Sequence, residues 1–165
     1  MRRKPDQHLS QAGVSLARRI GETMGPFQRV ITSSIPRAYE TAIAMGFAVD
    51  EQAQELCSMP DDVMAEIEWD AGFAAWGAML HRKGTVLRFI QMQVRFLHSV
   101  AKLLPDNAAA LIVTHGGFAE AGAVGCLPHR EHAAWGSYID YCEGIRLHYD
   151  VGDFTNIEIL RVEAN

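Results

Sequence analysis

The sequence predicts an α/β fold of three layers, with a mostly parallel sheet between helices and an antiparallel hairpin at one edge. Two short apolar runs carry the parallel part, Arg29–Ser33 and Ala108–Thr114, and each passes within a few residues into a helical pattern. The tail carries the hairpin. Ile145, Leu147 and Tyr149 alternate with Arg146, His148 and Asp150, and Asn156 to Val162 returns after a Gly152-Asp153 turn. No repeat, low-complexity tract or linker interrupts residues 1–165, so a single domain is expected.

Each element has a local reason. Ser10 is a good N-cap for a first helix on which Val14, Ala17, Ile20 and Met24 recur at helical spacing, and Gly25-Pro26 ends it. Pro36 presets the backbone of a helix running from Arg37 to Phe47. Pro60-Asp61-Asp62 starts a short helix over Val63 to Glu68, and Trp69, Phe73, Trp76 and Met79 form an apolar set at helical spacing. Such an aromatic stripe reads as core rather than pocket lining. A long helix spans Thr85 to Leu104 and closes at Pro105-Asp106-Asn107, and a Gly/Ala-rich helix spans Phe118 to Cys126.

Composition narrows the function. The formal net charge of −5 argues against nucleic acid as a partner. No apolar run approaches the roughly 18 residues of a membrane helix, and no membrane partner is expected. Cys57, Cys126 and Cys142 are scattered and odd in number, which reads as reduced, packed thiols of a cytoplasmic protein. His129 and His132 sit at a spacing that could hold a metal, but no third ligand accompanies them, so no metal is expected. Arg18-Arg19 reads as a solvated helix face.

The chemistry concentrates at the ends of the two apolar runs. One ends in Ser33-Ser34-Ile35-Pro36-Arg37 and the other in Thr114-His115-Gly116-Gly117. An arginine and a histidine delivered from strand ends, one at a helix start and one on a glycine turn, are how an α/β protein builds an anion pocket. Arg37 and His115 are therefore the candidate catalytic residues, and Ser33, Arg37, His115 and Gly116 the candidate phosphate ligands.

Ser33-x-x-x-Arg37-Ala38-x-x-Thr41-Ala42 resembles the second-arginine motif of the histidine phosphatase superfamily, the phosphoglycerate-mutase-like fold. Val113-Thr114-His115-Gly116-Gly117 is similar to its second-histidine motif, and Leu9-Ser10-x-x-Gly13-x-x-x-Ala17 to the first helix after its catalytic loop. The resemblance implies a phosphatase-like protein acting on or binding a small phosphomonoester, or a phosphohistidine on a phosphoprotein, or else a mutase-type transfer, with no cofactor or metal. The short segment between the second and third helices leans toward a compact phosphatase. The resemblance also implies a nucleophilic histidine in an Arg-His-Gly at the end of a first strand.

The chain contains no Arg-His-Gly, and the polar residues Met1 to His8 do not read as a strand. The first strand is thus expected to be missing, which would leave the strand carrying His115 with an open edge and make a homodimer paired through that edge an expectation. A late gene start or a lost front end would make this a truncated phosphohydrolase; abandoned catalysis would make it a pseudoenzyme that binds phosphate or a protein. His8 is a conceivable replacement nucleophile, though it adjoins the first helix rather than a strand end. For the catalytic acid, Glu55, Asp61, Asp62, Glu66 and Glu68 all stand as candidates.

Overall fold

A computed structural model of the chain describes residues 6–162. Its elements run α1 (Gln11–Gly21), β1 (Arg29–Thr32), α2 (Pro36–Ala44), β2 (Glu51–Gln52), α3 (Asp61–Glu66), α4 (Phe73–Met79), α5 (Thr85–Ala101), β3 (Ala110–Val113), α6 (Phe118–Cys126), β4 (Gly144–Asp150) and β5 (Asp153–Leu160). The chain partitions into two compact units. The first holds residues up to Ser58 together with Leu103–His115, and the second holds Met59–Lys102 with the residues from Gly116 onward.

The first unit is built on a parallel sheet of order β2-β1-β3. Val30, Ile31 and Thr32 are buried because β1 is the central strand, flanked on both edges. Its register pairs Arg29 with Ala110 and Thr32 with Val113, so the two strands end at the same level. The amide of Ser33 extends the ladder by donating to the Val113 carbonyl at 3.0 Å. Helix α2 packs on both β1 and β3 and against α1, where Ala17, Ala38 and Ala42 are buried. Ser10 caps α1 as expected, its hydroxyl accepting from the Gly13 amide at 3.1 Å.

β3 is less buried than β1. All four residues are only half-buried, because β3 pairs with β1 alone and, among the described residues, no strand lies on its other side. The expectation of a missing first strand falls in part on Met1–Pro5, which lie outside the described residues; residues 6–10 form no strand.

The second unit gathers the aromatic core. Phe73, Trp76, Phe89 and Phe118 are buried together, with Trp135 packed edge-on against Phe73 at 5.5 Å between centroids. The Gly/Ala composition of α6 serves close packing on α5: a Cβ on Gly125 would lie 2.4 Å from Val94 Cγ2 and 2.6 Å from Ile90 Cγ2. β4 and β5 pair antiparallel, with a register shift between His148 and Tyr149. The hairpin turns one residue earlier than expected, on Val151 and Gly152, both with positive φ (50° and 88°). The aromatic stripe is also divided. Gly72, at φ 57°, ends a short 3-10 turn, so Trp69 lies outside α4 and remains 39% exposed while Phe73 and Trp76 are buried.

Candidate functional site

Because β1 and β3 run parallel and end together, the residues just past them meet. Ser33 Oγ lies 3.0 Å from His115 Nε2. Ser33 is fully buried, and its oxygen also accepts from the Ile35 amide at 3.2 Å, which fixes the turn leading into α2. Thr114 Oγ1 donates to the Leu56 carbonyl at 3.4 Å, tying the end of β3 to the segment after β2. Pro36 opens α2, and Arg37 follows in its first turn.

The electrostatics follow from this placement. Burial, and secondarily the positive charge of Arg37, push the His115 imidazole down from 6.5 to about 4. At neutral pH the ring is uncharged, with one nitrogen a donor and the other an acceptor. Arg37 supplies the fixed positive charge, close enough for its field to reach the ring. The ends of β1 and β3 thus gather a neutral imidazole, a buried hydroxyl and, within electrostatic reach of the ring, the Arg37 charge at the start of α2.

Gly116 and Gly117 have different roles. Gly116 is exposed, and a Cβ there would meet nothing within 4 Å. Gly117 has φ 88°, and a Cβ on it would lie 2.6 Å from Met59 Cε and 2.9 Å from the Trp69 ring. Behind Gly117 stands Glu120, buried to 1% exposure, whose carboxylate accepts from the amides of Gly117 (2.7 Å) and Ile139 (2.8 Å). Sequence reasoning missed Glu120. A glutamate in the first turn of a helix resembles any solvated charge until its partners are seen.

The remaining candidates are dispersed. His8 is exposed and bound to the Glu40 carboxylate, which also accepts from the Leu9 amide at 2.6 Å. Glu55 lies exposed in a 3-10 turn of the first unit. Asp61, Asp62 and Glu66 lie on α3, and Glu68 just beyond it, in the second unit. His132 is buried, with Nε2 3.0 Å from the Leu127 carbonyl and its ring edge-on to Trp135, while His129 is exposed. Among the described residues no group of three metal-ligating side chains converges.

The family model of the histidine phosphatase superfamily (branch 1) matches residues 1–160. The chain belongs to this superfamily. No curated protein matches it at a significant level. Among solved structures, this histidine phosphatase family member is similar to a mycobacterial glucosyl-3-phosphoglycerate phosphatase in complex with VO3, with a TM-score of 0.68 and 16% identity over 96% of this chain and 88% of that one. It is also similar to a phosphoglycerate mutase from Thermus thermophilus, with a TM-score of 0.60 and 18% identity over 96% and 86% of the two chains. At these identities the likeness carries the fold: a mixed α/β chain with a three-stranded parallel sheet and a C-terminal hairpin. Among the described residues, no helix is long and apolar enough to cross a membrane.

Proposed function

We propose that this chain binds the phosphoryl group of a small phosphomonoester, or of a phosphohistidine on a protein, between Arg37, Ser33 and His115. The observation that carries the reading is the 3.0 Å approach of His115 Nε2 to the buried Ser33 hydroxyl, with the charge of Arg37 felt at the same ring. Arg37 offers a planar fork of donors to the phosphoryl oxygens, and the neutral imidazole exchanges a hydrogen bond with one of them. In the superfamily that the motifs resemble, a phosphoryl group passes to a histidine of an Arg-His-Gly. Residues 1–165 contain no such tripeptide, so these residues by themselves should bind the phosphoryl group and turn it over poorly.

The test is calorimetric titration with inorganic phosphate and orthovanadate, alongside hydrolysis of p-nitrophenyl phosphate. Binding that falls at least about tenfold in Arg37→Ala and in His115→Ala, with negligible hydrolysis, supports the reading. Binding indifferent to both substitutions rejects the site. Robust hydrolysis lost with Arg37→Ala would reveal a nucleophile elsewhere, and His8→Ala is then the next variant. The second reading is a pseudoenzyme that binds a phosphate group or a protein partner and gains no turnover even when an Arg-His-Gly strand is supplied. If a version extended by an apolar strand ending in Arg-His-Gly gains turnover, the chain is a truncated enzyme; if it gains none, the non-catalytic reading stands.

A further inference from the structure

Opposite charges are sorted onto two neighbouring helices of the second unit. Between Ala38 and Leu80 the sequence holds no Lys, Arg or His, and from His81 to Pro105 it holds no Asp or Glu. Asp61, Asp62, Glu66, Glu68 and Asp70 are all exposed, on α3 and the turn after it. Arg82, Lys83, Arg88, Arg95 and Lys102 are all exposed, on α5, its C-cap and the residues just before it. α3 packs on α5, and all ten residues belong to the second unit.

These charges are only slightly answered within the chain. A hydrogen bond from Thr85, with a smaller pull from the Arg88 charge, holds the Asp62 carboxyl below its ordinary value. Among the described residues, Arg82, Lys83, Arg95 and Lys102 form no ion pair, and neither do Glu66, Glu68 and Asp70. Helix stability does not account for the cations either. Arg82 and Lys83 precede the Gly84 N-cap of a 17-residue helix whose first turn carries no acid, and cations are disfavoured at that end. Arg88, Arg95 and Lys102 then follow one heptad apart, a single row with steps of about 10 Å. The other face of α5 is spent on the core, where Val86, Phe89, Ile90 and Phe96 are buried.

We propose that the α3–α5 face docks a second copy of this chain in a two-fold dimer. The carboxylates around α3 of one protomer meet the cationic row on α5 of its partner, and the reverse contact forms at the same time. A two-fold axis presents one patch to itself, and a patch with an acidic half and a basic half is then its own complement. A nucleic acid or an anionic membrane laid on α5 would meet the carboxylates of α3 alongside. The row also offers a membrane nothing to insert, since the exposed residues between its cations are Gln91 and Ser99. On the acidic side Trp69, 39% exposed between Glu68 and Asp70, gives a guanidinium of the partner an aromatic face to stack on. Nothing in this surface depends on the phosphoryl-site reading.

Sedimentation equilibrium of the full chain at about 0.05 M and about 0.5 M NaCl reads the association. The parent is expected to dimerise, at least about tenfold more weakly at the higher salt. The double variants Arg95→Glu with Lys102→Glu, and Glu66→Lys with Glu68→Lys, should each weaken self-association at least about tenfold, because like charges then face each other. An equimolar mixture of the two should restore a dimer, since every contact again joins opposite charges. Circular dichroism checks that both fold. If either does not, Arg95→Gln with Lys102→Gln and Glu66→Gln with Glu68→Gln replace them, and each must weaken the dimer at least about threefold. A parent that stays monomeric at low salt overturns the proposal, and binding of poly-L-glutamate by that monomer would assign α5 to a different, acidic protein. A dimer unmoved by salt and by the variants lies on another surface and overturns it too. Charge-reversed variants that lose the dimer and do not regain it on mixing overturn the face-to-face pairing.

Discussion

Ser33 Oγ and His115 Nε2 meet at 3.0 Å although 82 positions separate them in sequence. The contact exists because β1 and β3 are in parallel register and end at Thr32 and Val113. Ser33→Ala removes this hydroxyl from the ring's Nε2 and loosens the orientation of the imidazole. Phosphate affinity should fall about tenfold, and stability by about 1 kcal/mol, measured by calorimetry and urea unfolding. Unchanged affinity would show that His115 is oriented by other groups.

Acid should destabilise the protein through His115. The unfolded ring titrates near 6.5 and the folded one near 4, so between these values the unfolded state binds more protons. Stability is therefore fully present above pH 6.5 and is lost as pH falls toward 4, by at most about 3 kcal/mol. His115→Gln should flatten this part of the stability profile in urea melts taken across that range.

The same ring reports on Arg37. Removing a neighbouring positive charge eases protonation, so Arg37→Ala should raise the His115 pKa above its present value of about 4. It should stay below 6.5, because burial is the larger cause. Imidazole shifts in an NMR titration measure this, and an unmoved value would place Arg37 out of electrostatic reach.

The two glycines after His115 should respond differently. Gly117→Ala forces a left-handed residue to carry a Cβ against Met59 and the Trp69 ring, at an expected cost of about 2 kcal/mol or more. Gly116→Ala meets nothing within 4 Å and should change stability by less than about 1 kcal/mol. Thermal melts of the two variants side by side decide this.

Glu120→Ala leaves the buried amide of Gly117 and the part-buried amide of Ile139 without their acceptor. A loss of about 2–4 kcal/mol is expected. Hydrogen exchange should speed at those two amides in particular, and equal protection in the variant would mean that other acceptors replace the carboxylate.

The parts of the fold written in side-chain pattern were legible before the structure. β1, β3 and the long helix α5 follow from apolar runs and helical spacing, and the hairpin from alternation. β2 was not legible: its two residues, Glu51 and Gln52, are exposed and join the sheet through backbone pairing alone. The split between Trp69 and α4 depends on one positive φ at Gly72, which helical spacing does not register. At the site, Ser33, Arg37 and His115 lie in recognisable local strings. Nothing local marks Cys57, whose partners Ser33 and Ser34 lie 24 and 23 residues away. Long-range contacts between small polar groups leave no periodic trace in a sequence.

The position of β3 has a kinetic consequence. Its partner strand β1 ends at Thr32, and the chain between them supplies α2, β2 and the helices α3, α4 and α5 before β3 begins at Ala110. The β1–β3 ladder therefore forms only after a long loop has closed, and that entropy is spent before any ladder bond repays it. Pairings such as the β4–β5 hairpin, closed by Val151 and Gly152, carry no such delay. The pairing that brings Ser33 to His115 therefore carries a large loop-closure cost, and any ligand held between the two would offset part of it.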